Sequence, residues 1–322
     1  MVIIYNNRTE PYFNIALEEY LFKKFDDDIF MLYRNEPSII VGKHQNTLKE
    51  INTKFVRKNN IKVIRRISGG GTVYHDLGNV NFTFIQNGEY EKLADFKKYT
   101  APIIQVLQNL GVDAKLSGRN DIIVDNLKIS GNAEHTFKNR VLHHGTILFS
   151  SDLKQLSAAL KQNSSKYIDK SVPSVRSKVT NVRKYLKKIL DIDEFIELIY
   201  NQIRYKFFGA VEYQLNLEDL KVIEELVENK YSRWEWNYQY VSNYFFNNQI
   251  DIGKEIVTVQ MQVKNGLIQN IIFQSNFDLS FLENLLQNKE HKFELVEKQI
   301  ESFLETFEIK NFTKDLLLEL LF

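Results

Sequence analysis

Three successive glycines, Gly69 to Gly71, follow a stretch at 61–67 whose β-branched residues predict a strand. Glycine has no side chain and adopts backbone angles closed to other residues, so a glycine run at a strand end lets successive N–H groups cradle an anion. Arg65 and Arg66 add two guanidinium groups of matching charge. An ordinary glycine turn with solvated arginines explains the glycines alone equally well, so the rest of the chain must decide.

The charge balance argues against one broad class of partner. The 322 residues include 42 basic and 41 acidic side chains, a formal net charge of +1. This balance gives no overall attraction to nucleic acid or to an anionic membrane, so a charged partner must be recognised by a local patch. The basic run from Arg183 to Lys188 could be a solvated surface, an RNA contact or a docking aid for an acidic acceptor domain.

Two absences narrow the function. No apolar run approaches the roughly 20 residues of a membrane span, and the N-terminus has no charged region followed by a long apolar one. We therefore expect a cytoplasmic protein with no membrane partner. The chain has no cysteine, which excludes disulfides, thiolate zinc sites and a cysteine acyl-enzyme.

Hydrophobic periodicity predicts an α+β chain with a mostly antiparallel or mixed sheet. The pattern at 14–25 predicts an amphipathic helix with Glu18 and Glu19 between its apolar residues. Further helices are predicted at 46–59, 92–110, 153–162, 192–207, 217–229, 279–286, 293–307 and 312–321. Strands are predicted at 30–33, 38–41, 81–85, 114–116, 122–124, 128–130, 146–149, 256–263 and 267–273. Residues 1–242 are expected to form a large domain, and residues 243–322 a small α+β domain.

Four separated blocks resemble the lipoate-protein ligase family. They read RRISGGGTVYHDLGNVNFTF from Arg65, SGRNDIIV from Ser117, KISGNA from Lys128 and LHHGTILF from Leu142. The likeness also takes in the stretches that begin at Pro11, at Ser174 and at Trp234. Four motifs in the right order are far more specific than any single one.

The resemblance implies the fold of the biotin and lipoate protein ligase catalytic type for residues 1–242, with residues 243–322 as an accessory domain. It implies an enzyme that activates lipoate with ATP to lipoyl-AMP and passes the lipoyl group to one lysine of an acceptor domain. Biotin ligases share the fold but carry a Gly-Arg-Gly loop, whereas this chain has Ser68-Gly69-Gly70-Gly71. The expected acceptors are the lipoyl domains of 2-oxoacid dehydrogenase acyltransferase subunits, the glycine-cleavage H protein, or both. A monomer is expected.

Lys128 is the expected catalytic residue. Adenylation requires positive charge where the transition state develops at the α-phosphorus. Lys128 opens the KISG block and matches the family lysine that contacts the α-phosphate and the acyl carboxylate. The same resemblance gives ATP and adenylate contacts to Arg66, Gly71, Thr72, Val73 and Tyr74.

Asp121 is the candidate ligand for a Mg²⁺ ion that arrives with ATP. Mg²⁺ keeps several of its own waters and needs only one or two protein carboxylates. A turn-stabilising aspartate is the alternative reading. Adjacent His143 and His144 are not predicted to bind a metal together, because neighbouring strand residues point to opposite faces.

Lipoate has a flexible apolar chain, which calls for a hydrophobic tunnel. By resemblance the tunnel is lined by Tyr33, Val41, Gly70, Gly71, His75, Lys128, Ala133 and His144. His75 and Asp76 could instead only order the turn before Gly78. Arg176 and Lys178 could contact the adenylate as a closing loop.

One departure and two alternatives accompany this reading. The Trp234-Glu235-Trp236-Asn237 block continues without the family's Gly and Pro, so the geometry of the linker that follows is expected to differ. An ATP-independent octanoyl or lipoyl transferase shares the fold, but the lack of cysteine removes its cysteine route. A lipoate-binding sensor without catalysis should have lost Lys128 or the glycines, and this chain keeps both.

Overall fold

The computed structural model describes residues 1–88, 95–118, 120–160, 165–252, 255–307 and 312–322. The predicted helix start at residue 92, the predicted helix end at residue 162 and Arg119 of the SGRND block lie outside these residues. The described strands are β1 Val2–Asn6, β2 Ile29–Tyr33, β3 Ser38–Val41, β4 Lys62–Arg65, β5 Val73–His75, β6 Asn79–Asn87, β7 Lys115–Ser117, β8 Asp121–Val124, β9 Leu127–Phe137, β10 Arg140–Leu148, β11 Tyr167–Ile168, β12 Val211–Glu212, β13 Tyr244–Ile252, β14 Glu255–Lys264 and β15 Leu267–Gln274. The described α-helices are α1 Pro11–Lys24, α2 Thr47–Glu50, α3 Thr53–Lys58, α4 Phe96–Asn109, α5 Leu153–Ala159, α6 Ile192–Lys206, α7 Leu217–Leu226, α8 Trp234–Asn237, α9 Ser280–Leu286, α10 Phe293–Thr306 and α11 Lys314–Leu321.

The chain forms two compact units that alternate along the sequence. The first unit comprises Met1–Lys43, Ile61–Ala158 and Ser174–Arg233. The second comprises His44–Asn60, Ala159–Pro173 and Trp234–Phe322. The second unit thus includes three stretches that the sequence-based division assigns to the large domain, residues 44–60, 159–173 and 234–242. The domain boundary at residue 242 stays a prediction.

A large mixed sheet organises the first unit. Its described strands follow the order β12-β1-β2-β6-β10-β9-β8-β7. The pairs β12–β1 and β1–β2 are parallel, and every later pair is antiparallel. The β9–β10 hairpin runs through two of the sequence blocks and is much longer than the short strands predicted at 128–130 and 146–149.

A second, smaller sheet in this unit carries the glycine run. Its described strands follow the order β4-β3-β5, with β3 parallel to β4 and antiparallel to β5. Residues 66–72 connect β4 to β5, so the glycines lie at a strand end as predicted.

Helix α1 is buried on nearly all sides, and its contacts include β4, β6, β10 and α7. The predicted helix is present, but the amphipathic interpretation was wrong, because Glu18 and Glu19 are only 1% and 2% exposed. Both carboxylates are stabilised by buried hydrogen-bond donors instead of water.

A separate apolar core fills the first unit between the large sheet and helices α4 and α6. It includes Phe30, Phe82, Phe84, Ile103 and Phe195, all at most 1% exposed. Burial of side chains of this size stabilises a fold by about 1.5–3 kcal/mol each.

The second unit combines the antiparallel sheet β11-β13-β14-β15 with helices α9, α10 and α11. The strand β13 was not predicted from the sequence. Leu48 and Tyr167, from the two upstream stretches, join its apolar core beside Phe246 and Phe303. The single helix predicted at 46–59 is two short helices, because Ile51 and Asn52 are extended and Asn52 caps α3 through Phe55 N.

Within the described ranges, no helix is both long enough and apolar enough for a membrane crossing. The α+β fold class, with a large mixed sheet and a C-terminal α+β region, is confirmed.

Candidate active site

The glycine loop leaves open space at its centre. In the described residues, no heavy atom beyond its chain neighbours lies within 4 Å of a Cβ built on Gly69. Gly70 has φ +84°, a conformation that favours glycine. A Cβ on Gly70 would come within 3.1 Å of Arg66 Nη2 and 3.5 Å of Ala133 Cβ. The loop therefore packs against β9 at Ala133, and the lipoyl contacts of Gly70 and Ala133 stay a prediction.

Arg66 holds the loop in shape. Its guanidinium donates to the carbonyl oxygens of Ile40 (3.0 Å), Gly69 (2.6 Å) and Gly71 (2.8 Å), and Nε donates to Ser68 Oγ (2.9 Å). These bonds use four of its five N–H groups. Burial lowers the pKa of Arg66 to about 10, so the side chain stays cationic at neutral pH. Phosphate binding by Arg66 stays a prediction, and a phosphate that takes more than the one remaining N–H group would require some of these bonds to break.

Arg65 points elsewhere. It is fully buried, and its Nη1 donates to the carbonyl oxygens of Gly42 and Lys43 at 3.0 and 3.1 Å. The sequence predicts that both arginines supply charge for an anion. In the structure, the hydrogen bonds of Arg65 hold the backbone that follows β3.

A buried polar chain continues from the loop. Ser68 Oγ pairs with His144 Nε2 at 2.6 Å, and His144 Nδ1 donates to Glu18 Oε2 at 2.8 Å. The other oxygen of Glu18 accepts from Thr83 Oγ1 at 2.5 Å and from Tyr33 Oη at 3.1 Å. Two predicted lipoyl-site residues, Tyr33 and His144, are thus brought together by a carboxylate that sequence reasoning missed.

The electrostatics of this chain favour an ionised Glu18. Burial alone raises the pKa of this carboxyl, but the charge of His144 and the hydrogen bonds from His144, Thr83 and Tyr33 together outweigh burial, so the pKa of Glu18 is lowered. Burial and the neighbouring Glu18 raise the pKa of Tyr33 well above its ordinary value, so Tyr33 remains a neutral donor.

His75 presents a buried N–H group. Asn14 Nδ2 donates to Asn35 Oδ1 (2.8 Å), and Asn35 Nδ2 therefore faces His75 Nδ1 (3.0 Å). This arrangement makes Nδ1 the acceptor and leaves the proton on Nε2, which has no hydrogen-bond partner in the part of the chain that the structure describes. Burial, with smaller contributions from Arg66 and His144, lowers the pKa of His75 to about 3. His75 is therefore a neutral, buried donor, and its contact with the lipoyl group stays a prediction.

Asp76, in contrast, orders the turn. Its Oδ1 accepts from Gly78 N at 2.9 Å, and its Oδ2 accepts from Asp152 N at 2.7 Å. The two members of the His-Asp pair therefore differ, because the Asp76 carboxylate is used by backbone N–H groups whereas His75 Nε2 has no partner among the described residues.

The two adjacent histidines of β10 face opposite sides, as predicted. His143 is fully buried in the apolar core beside Phe82 and Tyr99, and its Nδ1 bonds Glu134 Oε1 at 2.9 Å. Burial lowers the pKa of His143. Among the described residues, no group of three or more His, Asp or Glu side chains could hold a metal ion.

Lys128 reaches the site through a β-bulge. Ile122 of β8 faces Ser130 and the next residue, Ile123, faces Lys128, so Ile129 is an extra residue in β9. The bulge turns Lys128 onto the face of Gly131: a Cβ on Gly131 would lie 3.0 Å from Lys128 Cε. Strict alternation would place Lys128 on the buried face of Ser130 instead.

Asp121 is paired directly with Lys128. Asp121 Oδ1 lies 2.8 Å from Lys128 Nζ, and both side chains are about a quarter exposed, 26% and 23%. The predicted metal ligand and the predicted catalytic lysine therefore form an ion pair. A phosphate-bearing ligand bound between them would separate the two side chains.

The segment 174–180 links the lysine to the glycine loop. Ser174 Oγ accepts from Thr72 N at 2.9 Å, and a Cβ on Gly71 would lie 3.1 Å from Ser174 Oγ. Further along, Lys178 O accepts from Lys128 N at 2.9 Å, and Thr180 N donates to Lys128 O at 3.0 Å. The segment therefore fixes both ends of the site.

The other predicted adenylate contacts lie in β5. Val73 and Tyr74 pair with Ile40 and Ile39 of β3. Tyr74 Oη donates to Gln155 Oε1 at 3.2 Å, and burial, with nearby carboxylates, raises the pKa of Tyr74 to about 12. Their adenylate role stays a prediction.

The comparisons with known proteins agree with this geometry. Residues 10–204 match the lipoyl protein ligase A/B catalytic domain. The chain therefore belongs to the lipoyl protein ligase A/B family, which confirms the resemblance in the sequence.

Similarity to individual relatives extends over most of the chain. The chain is 43% identical to lipoate-protein ligase 1 of Staphylococcus aureus, over 92% of each chain. It is similar to the structure of P. falciparum LipL1 in complex with lipoate, with 25% identity, a TM-score of 0.62 and coverage of 99% of this chain and 97% of that chain. A lipoate-protein ligase A bound with ATP aligns with 27% identity and a TM-score of 0.63, over 73% of this chain and 97% of that chain.

Proposed function

We propose that this lipoate-protein ligase activates lipoate with ATP and transfers the lipoyl group to one lysine of a lipoyl-acceptor domain. The observation that carries the proposal is the bulge at Ile129. It turns Lys128 toward the face on which β9 contacts the glycine loop, so one strand supplies the cation for phosphate and, at Ala133, a wall of the acyl site.

The acyl site is lined by small or neutral groups above a buried polar floor. Gly70 and Ala133 leave room for an apolar chain, and Gly69 lies beside open space. Tyr33, His144 and Glu18 form the hydrogen-bonded floor. An apolar chain with one polar end fits such a lining, and the P. falciparum relative holds lipoate.

In the first half-reaction, a lipoate carboxylate oxygen attacks the α-phosphorus of ATP, the P–O bond to the β-phosphate breaks, and pyrophosphate leaves. Lys128 would stabilise the charge on the α-phosphoryl oxygens and hold the carboxylate in line. The ligase with bound ATP supports the use of this nucleotide.

Mg²⁺ would enter with the ATP phosphates. Asp121 supplies a single carboxylate at the site, which suits an ion that keeps several waters. Asp121 would help to hold the ion, and the ion would supply positive charge that neutralises the phosphates.

In the second half-reaction, the neutral amine of the acceptor lysine attacks the acyl carbon, the bond to the phosphate oxygen breaks, and AMP leaves with loss of a proton from the amine. The acceptors we propose are the lipoyl domains of 2-oxoacid dehydrogenase acyltransferase subunits, the glycine-cleavage H protein, or both. A monomeric state and a cytoplasmic location stay predictions from the sequence.

The two alternative functions, an acyl transferase and a lipoate sensor, would need different residues and substrates. A transferase between carrier proteins would not need ATP, and its cysteine route is closed because the chain has no cysteine. A binding-only sensor would not need Lys128 turned into the site.

The test is transfer to a purified apo lipoyl domain or apo H protein with lipoate, ATP and Mg²⁺, followed by acceptor mass, beside a Lys128→Ala control. One lipoyl group gained only with ATP and Lys128 supports the ligase. Transfer without ATP from a carrier protein that already bears the lipoyl or octanoyl group would establish the transferase, and lipoate binding without transfer to either acceptor would establish the sensor.

A further inference from the structure

A strip of cations without carboxylates lies beside the candidate site. Residues 174–188 include six basic side chains and no Asp or Glu. The members of this basic strip are Arg176, Lys178, Arg183, Lys184, Lys187 and Lys188, and all six are exposed. None of the six has a carboxylate within 4.0 Å among the described residues, although other exposed lysines and arginines of the same unit, such as Arg8 and Lys115, do.

The backbone under the distal part of the strip is held by the first unit. Val182 is fully buried, and Arg183 N donates to Phe149 O at 3.1 Å. Tyr185 and Leu186 pack against the apolar core. The charged side chains therefore project from a fixed scaffold, which lowers the entropy cost of binding compared with a flexible tail.

The backbone of the strip passes beside the backbone of Lys128. Lys178 O and Thr180 N bracket the backbone of Lys128 at 2.9 and 3.0 Å. Arg183 follows Thr180 by three residues, so their Cα atoms lie at most about 11 Å apart. The first of the four distal cations therefore lies close in the chain to the backbone that brackets Lys128.

We infer that Arg183, Lys184, Lys187 and Lys188 form a docking surface for an acidic face of the acceptor protein. The inference rests on the proposed function, because it is the acceptor lysine that must reach the acyl-adenylate at Lys128. Unpaired cations at the edge of a site raise the rate of encounter with an oppositely charged partner.

RNA fits this strip less well than protein does. Single-stranded nucleic acid binds through exposed aromatic rings on which bases stack, together with cations. Tyr185 is the only aromatic residue in 174–188, and it packs against the core of the first unit. The surface thus offers charge without a stacking platform.

The test compares two variants of equal charge. The docking variant carries Arg183→Gln, Lys184→Gln, Lys187→Gln and Lys188→Gln. The control carries Lys24→Gln, Arg204→Gln, Lys206→Gln and Lys221→Gln, which also removes one arginine and three lysines, all exposed. Arg204 and Lys206 end the helix that leads into β12, at the sheet edge opposite to β7, and five strand spacings, about 24 Å, separate β12 from β9.

Each protein is assayed twice. Lipoate-dependent exchange of pyrophosphate into ATP reports adenylation without any acceptor. Transfer to the apo acceptor is then measured from about 0.01 M salt, where the Debye length is about 30 Å, to about 0.15 M, where it is about 8 Å.

We expect the docking variant to keep wild-type exchange but to lose roughly tenfold or more in kcat/KM for the acceptor at low salt. Its kcat/KM should also lose most of its salt dependence, and the control should behave as the wild type. Equal acceptor kinetics in the docking and control variants would overturn the docking surface, as would strip-dependent RNA binding with unchanged acceptor kinetics. A wild type without exchange would instead refute the proposed function.

Discussion

Lys128 lies directly over Gly131: a Cβ on Gly131 would come within 3.0 Å of Lys128 Cε and 3.1 Å of its Nζ. The end of the lysine side chain thus packs against the glycine backbone, and the extra residue Ile129 turns the lysine onto that face of the strand. The position of the charge that we propose to be catalytic therefore depends on the absence of a side chain at Gly131.

Gly131→Ala should displace the lysine. The added methyl would move the ammonium by a few tenths of an ångström or more, and a misplacement of about 1 Å can cost about 10²-fold in rate. We expect lower kcat in lipoate-dependent pyrophosphate exchange with little change in the free energy of unfolding, since the displaced atoms are the end of a flexible side chain. Wild-type kcat in this variant would show that the lysine position does not limit adenylation.

Asp121→Asn should change the demand for Mg²⁺. The substitution keeps the shape but removes the charge opposite Lys128 at 2.8 Å. Because the pair is partly exposed, we expect at most about 1 kcal/mol of lost stability. The Mg²⁺ concentration at half-maximal exchange should rise. An unchanged Mg²⁺ titration would assign Asp121 to the positioning of Lys128 alone.

Glu18→Gln should weaken lipoate binding. It places an amide among the donors Tyr33 Oη, Thr83 Oγ1 and His144 Nδ1, at least one of which loses its acceptor. A buried donor without an acceptor costs about 1–3 kcal/mol. Glu19→Gln is the matched control, because Glu19 is equally buried but accepts from Lys23, Lys230 and Tyr231. In calorimetry, only Glu18→Gln should raise the Kd of lipoate. Equal effects of the two variants on this Kd would show that Glu18 contributes to the stability of the fold and not specifically to lipoate binding.

Alanine substitution at two glycines of one sequence block should affect the free energy of unfolding differently. At Gly78 a Cβ would overlap the backbone carbonyl of Ser150, so Gly78→Ala should destabilise the fold by about 1–3 kcal/mol or more in denaturant unfolding. At Gly69 a Cβ meets open space, so Gly69→Ala should unfold as the wild type does. Its KM for lipoate should nevertheless rise if the open space receives the acyl chain, and an unchanged KM would place that chain elsewhere.

His291 should make the second unit sensitive to acid. It is buried, accepts from Tyr244 Oη and donates from Nε2 to Leu321 O, and burial lowers its pKa to about 4. The unfolded chain binds a proton near pH 6.5 and the folded chain only near pH 4, so stability is complete above pH 6.5 and is lost as pH falls toward 4. His291→Gln should cost stability at pH 7, and its deficit should shrink by about 1 kcal/mol per pH unit between pH 6 and 5. A constant deficit in urea unfolding would exclude this residue as an acid-sensitive group.

The sequence predicted much of the fold because local periodicity determines elements. Helix α1 and strands β2 and β3 lie close to the predicted positions. Strand β13 was missed because Tyr244–Ile252 mixes amides with apolar residues, and pairing with β14 and β11 overrides its weak pattern.

The candidate site was predicted as a set of residues but not as an arrangement. Motifs named Lys128 and His144, but strict alternation would have pointed Lys128 into the core, and only the bulge places it correctly. Glu18 was missed because a glutamate in a helix is normally solvated, although its position between apolar residues on both sides was a usable signal. The hydrogen bonds from Arg66 to its own loop depend on tertiary geometry that no sequence pattern encodes.

The alternation of the two units along the chain also sets an order of events during synthesis. Leu48 and Tyr167 belong to a core whose other strands, β13 to β15, and helices α9 to α11 follow only after Trp234. At typical translation rates, the roughly 190 residues between Leu48 and Trp234 take about 10–40 s to emerge. Throughout that interval Leu48 has been synthesised without most of the residues that surround it in the folded second unit. Substitutions at Leu48 should therefore reduce the yield of folded protein in cells more than they reduce the equilibrium stability of molecules that have already folded.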